Sequence, residues 1–104
     1  MTIQINTDKT ISGEKRNEDF FTSQIEEALQ RFESHITRVE VHLKDENGKK
    51  DGFNDISCLL EARLEGRQPI VVTNQADTVD LALTGAIDKM KTAVESIIGK
   101  MEKH

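Results

Sequence analysis

The stretch from Thr78 to Met101 constrains the fold more than any other part of the chain. Its apolar residues are Val79, Leu83, Ala86, Ile87, Met90, Val94, Ile97, Ile98 and Met101. The steps between them are threes and fours with two adjacent pairs, sustained over more than six turns. That spacing predicts one long amphipathic helix with a continuous apolar stripe. A stripe of this length needs a wide apolar surface to lie on, and the middle of the chain supplies it as segments of alternating hydrophobicity. Asp77 or Thr78 is placed to cap the helix.

Upstream, Thr2 to Thr7 alternates polar and apolar, with Ile3 and Ile5 on one side, which predicts a short first strand. Asp8 to Arg16 is polar, contains Gly13, and reads as a loop. Asn17 is placed as an N-cap, with Glu18 and Asp19 at the positive end of the helix dipole. Phe21, Ile25, Ala28, Leu29 and Phe32 then mark a first helix ending near Ser34 and His35. Its outer face carries Glu26, Glu27, Gln30, Arg31 and Glu33.

Period two returns from Ile36 to Lys44. Val39, Val41 and Leu43 face one way, and Arg38, Glu40, His42 and Lys44 the other, as in a strand with one wet face. Asp45 to Gly52 is a polar connection with Asn47-Gly48 as its turn signal, expected to be a long, mobile hairpin loop. Ile56, Cys58, Leu60, Ala62 and Leu64 line one side of a third strand. Gly66, Arg67 and Gln68 form the next turn, and Pro69 precedes a fourth strand, Ile70 to Thr73, where the missing donor limits pairing.

The order is β-α-β-β-β-α. The first helix serves as a right-handed crossover that makes strands one and two parallel, and the remaining strands follow as antiparallel neighbours. The fold class is α+β, a two-layer sandwich with both helices on one face of a four-stranded sheet. With 104 residues, the expectation is a single domain spanning 1–104.

Charge and residue usage narrow the function. The net charge is −5 and the pI about 5.2, so nucleic-acid binding has to come from a local basic surface. One cysteine, Cys58, excludes an intramolecular disulfide and falls on an inward strand position, where a small core residue is expected. The N-terminus lacks the basic and apolar regions of a secretory signal, and no apolar run approaches the roughly 20 residues needed to cross a membrane. The expected localisation is cytoplasmic. His35, His42 and His104 lack metal-ligand spacing, the glycines form no phosphate loop, and no carboxylate pair stands out as an acid/base couple. No enzyme, cofactor or metal is expected.

Function therefore rests on the second helix. Lys89, Thr92, Ser96, Lys100 and Lys103 fall on roughly one side and include no acid. They make a thin basic row roughly 20 Å long at helical rise, suited to phosphates of structured RNA. The alternative is a soluble helix whose lysines suit the negative end of its dipole.

The element order, together with several local strings, resembles the ribosome hibernation-promoting factor family. That group includes the ribosome-associated inhibitor A proteins, often labelled sigma-54 modulation proteins. The likeness covers nearly the whole chain. It rests on Ile3-Gln4-Ile5, on Ala28-Leu29-Gln30-Arg31-Phe32 before Ile36-Thr37-Arg38-Val39, on Val41-His42-Leu43-Lys44, and most closely on Ala86-Ile87-Asp88-Lys89-Met90. The resemblance implies the same β-α-β-β-β-α sandwich and a translation inhibitor of stationary phase or stress. Such a protein binds the small ribosomal subunit and its ribosomal RNA near the decoding channel and blocks messenger and transfer RNA. The implied work is phosphate neutralisation and shape filling, without small-molecule substrate or membrane. The chain ends after the helix and so corresponds to a short form.

The candidate ribosomal-RNA-binding residues are Lys89, Lys91, Lys100 and Lys103, with Arg31 and Arg38 as weaker additions. Thr92, Ser96 and Ile98 stand where bases are common in the family, and Asp80 stands where an aromatic is frequent. A second function therefore stays open: the same fold without ribosome binding, acting as a protein-interaction or regulatory module.

Overall fold

The computed structural model describes residues 1–7, 11, 18–46 and 55–102, except the side chains of 101 and 102. Strand β1 (Thr2–Thr7) leads to helix α1 (Glu18–Leu29), which continues as a 3-10 turn (Gln30–Phe32). Strands β2 (Ile36–Asp45), β3 (Ile56–Leu64) and β4 (Ile70–Ala76) follow, and helix α2 (Val79–Glu102) closes the order. The sheet runs β1-β2-β3-β4. β1 pairs with β2 in parallel, while β2 with β3 and β3 with β4 are antiparallel. The expected topology is the observed one.

The core lies between the helices and one face of the sheet. Val39, Val41 and Leu43 of β2 meet Cys58, Leu60 and Ala62 of β3 below Phe21, Ile25 and Leu29 of α1. The α2 stripe completes it through Val79, Leu83, Ala86, Ile87, Met90, Val94 and Ile98, all 4 % exposed or less. Full burial of such side chains contributes about 1.5–3 kcal/mol each, so the stripe holds the long helix against the sheet. Ile97 is half-buried at the stripe's margin, and Ala82 joins the core from just outside the predicted set.

Four details differ from the sequence expectation. The first helix does not stay α-helical to Ser34: it tightens into the 3-10 turn after Leu29, which still buries Phe32. Ile11, inside the stretch read as a polar loop, is 2 % exposed and belongs to the core. β4 extends past Thr73 to Ala76, because Asn74, polar but helix-facing, is satisfied by α2. Finally, β2 carries a register shift between Ile36 and Arg38. The extra residue lets both Ile36 and Val39 face the core despite their odd spacing.

The α2 start is capped as expected. Thr78 Oγ1 accepts from the Leu81 amide at 3.1 Å, and the Thr78 carbonyl accepts the first helical bond from Ala82. Gly66 in the β3–β4 turn has φ 74°, a left-handed conformation that glycine adopts without steric cost. The loop around Gly13, the Asn17 cap, the Asn47-Gly48 turn and its mobility, Lys103 and His104 lie outside the described residues.

Candidate nucleic-acid interface

Contacts to neighbouring elements divide the exposed surface of α2 into two flanks. On one side Gln24 Nε2 of α1 donates to Thr84 Oγ1 at 3.0 Å, and Arg31 pairs with Glu95 at 3.6 Å. Residues 84, 88, 91 and 95 recur at helical spacing and therefore share this α1 flank. It is mixed in charge: Asp88, Lys91 and Glu95.

The other flank runs beside β4, an edge strand. Asn74 Nδ2 donates to the Leu81 and Ala82 carbonyls at 3.4 and 3.1 Å. Lys89 Nζ donates to the Thr73 carbonyl at 2.7 Å. Residues 85, 89, 92, 96 and 100 follow this line, and none is acidic. Of the acid-free row drawn from the sequence, Lys89, Thr92, Ser96 and Lys100 thus share one strip of surface, and its neighbour is the edge strand β4.

The predicted cations do not form one patch. Lys89 and Lys100 share the β4 flank, while Lys91 and Arg31 belong to the α1 flank. Arg31 is held over the Phe32 ring at 4.8 Å as well as by Glu95. Arg38 lies on the opposite, open face of the sheet. There it donates to Gln4 and pairs with Glu40 at 3.4 Å. Arg63, on the neighbouring strand, pairs with the same Glu40 at 3.4 Å and with Glu61 at 3.2 Å. Two arginines against two glutamates leave this part of the open face without excess charge. Arg38 is therefore part of a cross-strand ion network on a surface apart from the α2 flanks.

The remaining reactive groups are accounted for structurally. Cys58 is 1 % exposed, and burial pushes its thiol up to about 12 from 9.0. A thiol so held is neutral and inert at physiological pH. Among the described residues no cluster of His, Cys, Asp or Glu has the arrangement to hold a metal ion. None of their helices is long and apolar enough to cross a membrane.

Sequence reasoning missed Asn74 and Arg67. Asn74 reads as a loop residue after a short strand, and Arg67 as an ordinary turn cation. Only the path of α2 back along β4 shows that both stand beside the acid-free flank.

Comparison with known proteins agrees with this architecture. The chain is similar in structure to the Protein Y N-terminal domain of Thermus thermophilus, with a TM-score of 0.72 and 15 % identity, over 93 % of this chain and 99 % of that one. It is also similar to a ribosomal subunit interface protein from Coxiella burnetii, with a TM-score of 0.69 and 13 % identity, over 95 % and 99 % of the two chains. At such identities these likenesses speak for the fold. No curated protein sequence matches the chain. A family model does: the sigma 54 modulation protein / S30EA ribosomal protein model matches residues 15–102. With most of the chain inside that match and the fold shared, the protein belongs to the sigma 54 modulation protein / S30EA ribosomal protein family.

Proposed function

We propose that this protein is a ribosome hibernation factor: it binds the small ribosomal subunit near the decoding channel and blocks messenger and transfer RNA. Family membership supports ribosome association, and the acid-free β4 flank of α2 is the observation that carries the placement. Lys89 and Lys100 present positive charge along one side of a rigid helix. RNA phosphates meeting that side release counterions, and no carboxylate on the strip opposes them. The protein works as one cytoplasmic domain. Inhibition needs occupancy and shape alone, so no catalytic group or cofactor takes part.

Two features favour a second function, a regulatory module that has kept the fold without the ribosome. The net charge of −5 opposes RNA at long range, and Lys89 is already hydrogen-bonded to Thr73. Competition separates the two. A hibernation factor displaces a labelled messenger fragment from isolated small subunits in a saturable way. Retention of the messenger at saturating protein would leave the regulatory module as the function.

A further inference from the structure

The β3–β4 turn and the C-terminal half of α2 enclose an open groove of about 890 Å³, lined by Glu65, Gly66, Arg67, Gln68 and Ile97. Two contacts and the lining fix its place. Going along α2, Ala82 meets Asn74, Lys89 meets Thr73, and Ile97 lines the groove together with the turn. The groove is therefore where the acid-free flank ends.

We propose that this groove is an RNA phosphate-binding cleft, with Arg67 on the turn and Lys100 on the helix as its two cations. This rests on the ribosome-binding function above and extends its surface from one helix flank to a two-walled site. Four of the described cations are paired with carboxylates: Arg31 with Glu95, Arg38 and Arg63 with Glu40, and Lys44 with Glu46. Lys89 keeps its charge on the flank, but its ammonium is bonded to the Thr73 carbonyl, away from the groove. The side chains of Arg67, Lys91 and Lys100 have no ion pair or hydrogen bond among the described residues. Lys91 lies on the mixed α1 flank, four residues before Glu95. Arg67 and Lys100 remain: Arg67 lines the groove, and Lys100 follows the groove's Ile97 by about one helical turn on α2.

The groove suits a nucleic-acid strand in three ways. A guanidinium without a partner takes phosphate oxygens in a fork with no internal bond to break first. Ile97 supplies an apolar floor for a sugar or base edge, and Gln68 has the donor and acceptor that a ribose 2′-hydroxyl uses. The groove is open along its length, as a chain passing through requires. Glu65 is the opposing group in the wall, and its carboxylate weakens binding without excluding it. The left-handed Gly66 sets the turn that presents Arg67.

The test is co-sedimentation with isolated small subunits over a salt series. The variants are Arg67→Gln, Lys100→Gln and Glu65→Gln, with Arg63→Gln on the opposite face as control. Arg67→Gln and Lys100→Gln are each expected to weaken binding and make the log–log salt slope shallower by about one. Glu65→Gln is expected to tighten binding, and Arg63→Gln to leave affinity and slope unchanged. Wild-type binding with an Arg67→Gln variant of unchanged affinity and slope overturns the cleft while leaving ribosome association intact. Weaker binding at an unchanged slope also overturns it, because the groove then contacts a polypeptide. Absence of wild-type binding at low salt overturns ribosome association and the cleft together.

Discussion

Asn74 occupies the space that a side chain on Gly85 would need. A Cβ at residue 85 would lie 2.7 Å from the Asn74 Cγ, and the amide cannot simply swing away because it donates to the Leu81 and Ala82 carbonyls. The pair locks the edge strand to the first turns of α2, and it does so beside the proposed RNA-binding flank.

Gly85→Ala should therefore destabilise the protein, although alanine is the better helix former by about 1 kcal/mol. Overpacking costs typically about 1–3 kcal/mol, and here loss of the amide bonds adds to it. Urea unfolding should show a lower midpoint for Gly85→Ala. The double variant Asn74→Ala/Gly85→Ala should recover part of the loss, a coupling expected of residues in contact. A Gly85→Ala protein at least as stable as wild type would contradict the lock.

Thr78→Ala tests the start of the same helix. It removes the hydroxyl that accepts from the Leu81 amide, a change expected to cost about 1 kcal/mol. Thr78→Ser keeps the acceptor and should stay close to wild type. Thermal or urea melts of the two variants measure the difference.

Cys58 gives a pH dependence with a definite sign. Burial holds the folded thiol near 12, against 9.0 for an exposed one. Between these values the unfolded chain releases the proton and the folded chain retains it. The unfolded state is thus favoured as pH rises. This contribution is fully present below about pH 9 and is lost progressively towards 12. Cys58→Ala should remove that part of the slope while lowering stability at neutral pH through the small cavity it leaves. Parallel urea titrations of both proteins from pH 7 to 11 measure it. A thiol reagent at pH 8 should also label wild type only upon unfolding.

Much of this architecture was legible because its signals are periodic. The α2 stripe and the alternation in β2 and β3 each repeat often enough to fix which residues face inward, and thus the layer order. What escaped was carried by single residues. Ile11 is one apolar residue in a polar stretch, and no period reveals its burial. Asn74 breaks the β4 pattern because its partners are carbonyls of a helix later in the chain. The proposed interface was legible as a helix flank but not as a set of partners. Arg38 and Arg63 come together across two strands around Glu40, and Arg67 shares a groove with Ile97 of α2 through the sheet topology. These are neighbours in space whose sequence separation carries no signal.

The two flanks of α2 differ in what charge reversal should do. Lys91→Glu alters a surface already mixed with Asp88 and Glu95, and its effect on ribosome binding should be smaller than that of Lys100→Glu. Equal effects would mean that the bound RNA spans both flanks. Affinities for small subunits at one fixed salt concentration decide between them.

The central claim is that this fold binds the small ribosomal subunit through the acid-free flank. Co-sedimentation of wild type and the double variant Lys89→Glu/Lys100→Glu with isolated small subunits, across a salt series, tests it most directly. The account predicts saturable, salt-sensitive binding of wild type at one copy per subunit, with lower affinity and a flatter salt dependence for the double variant. Equal binding of the two proteins would remove the flank from the interface, and absence of wild-type binding at low salt would contradict the claim itself.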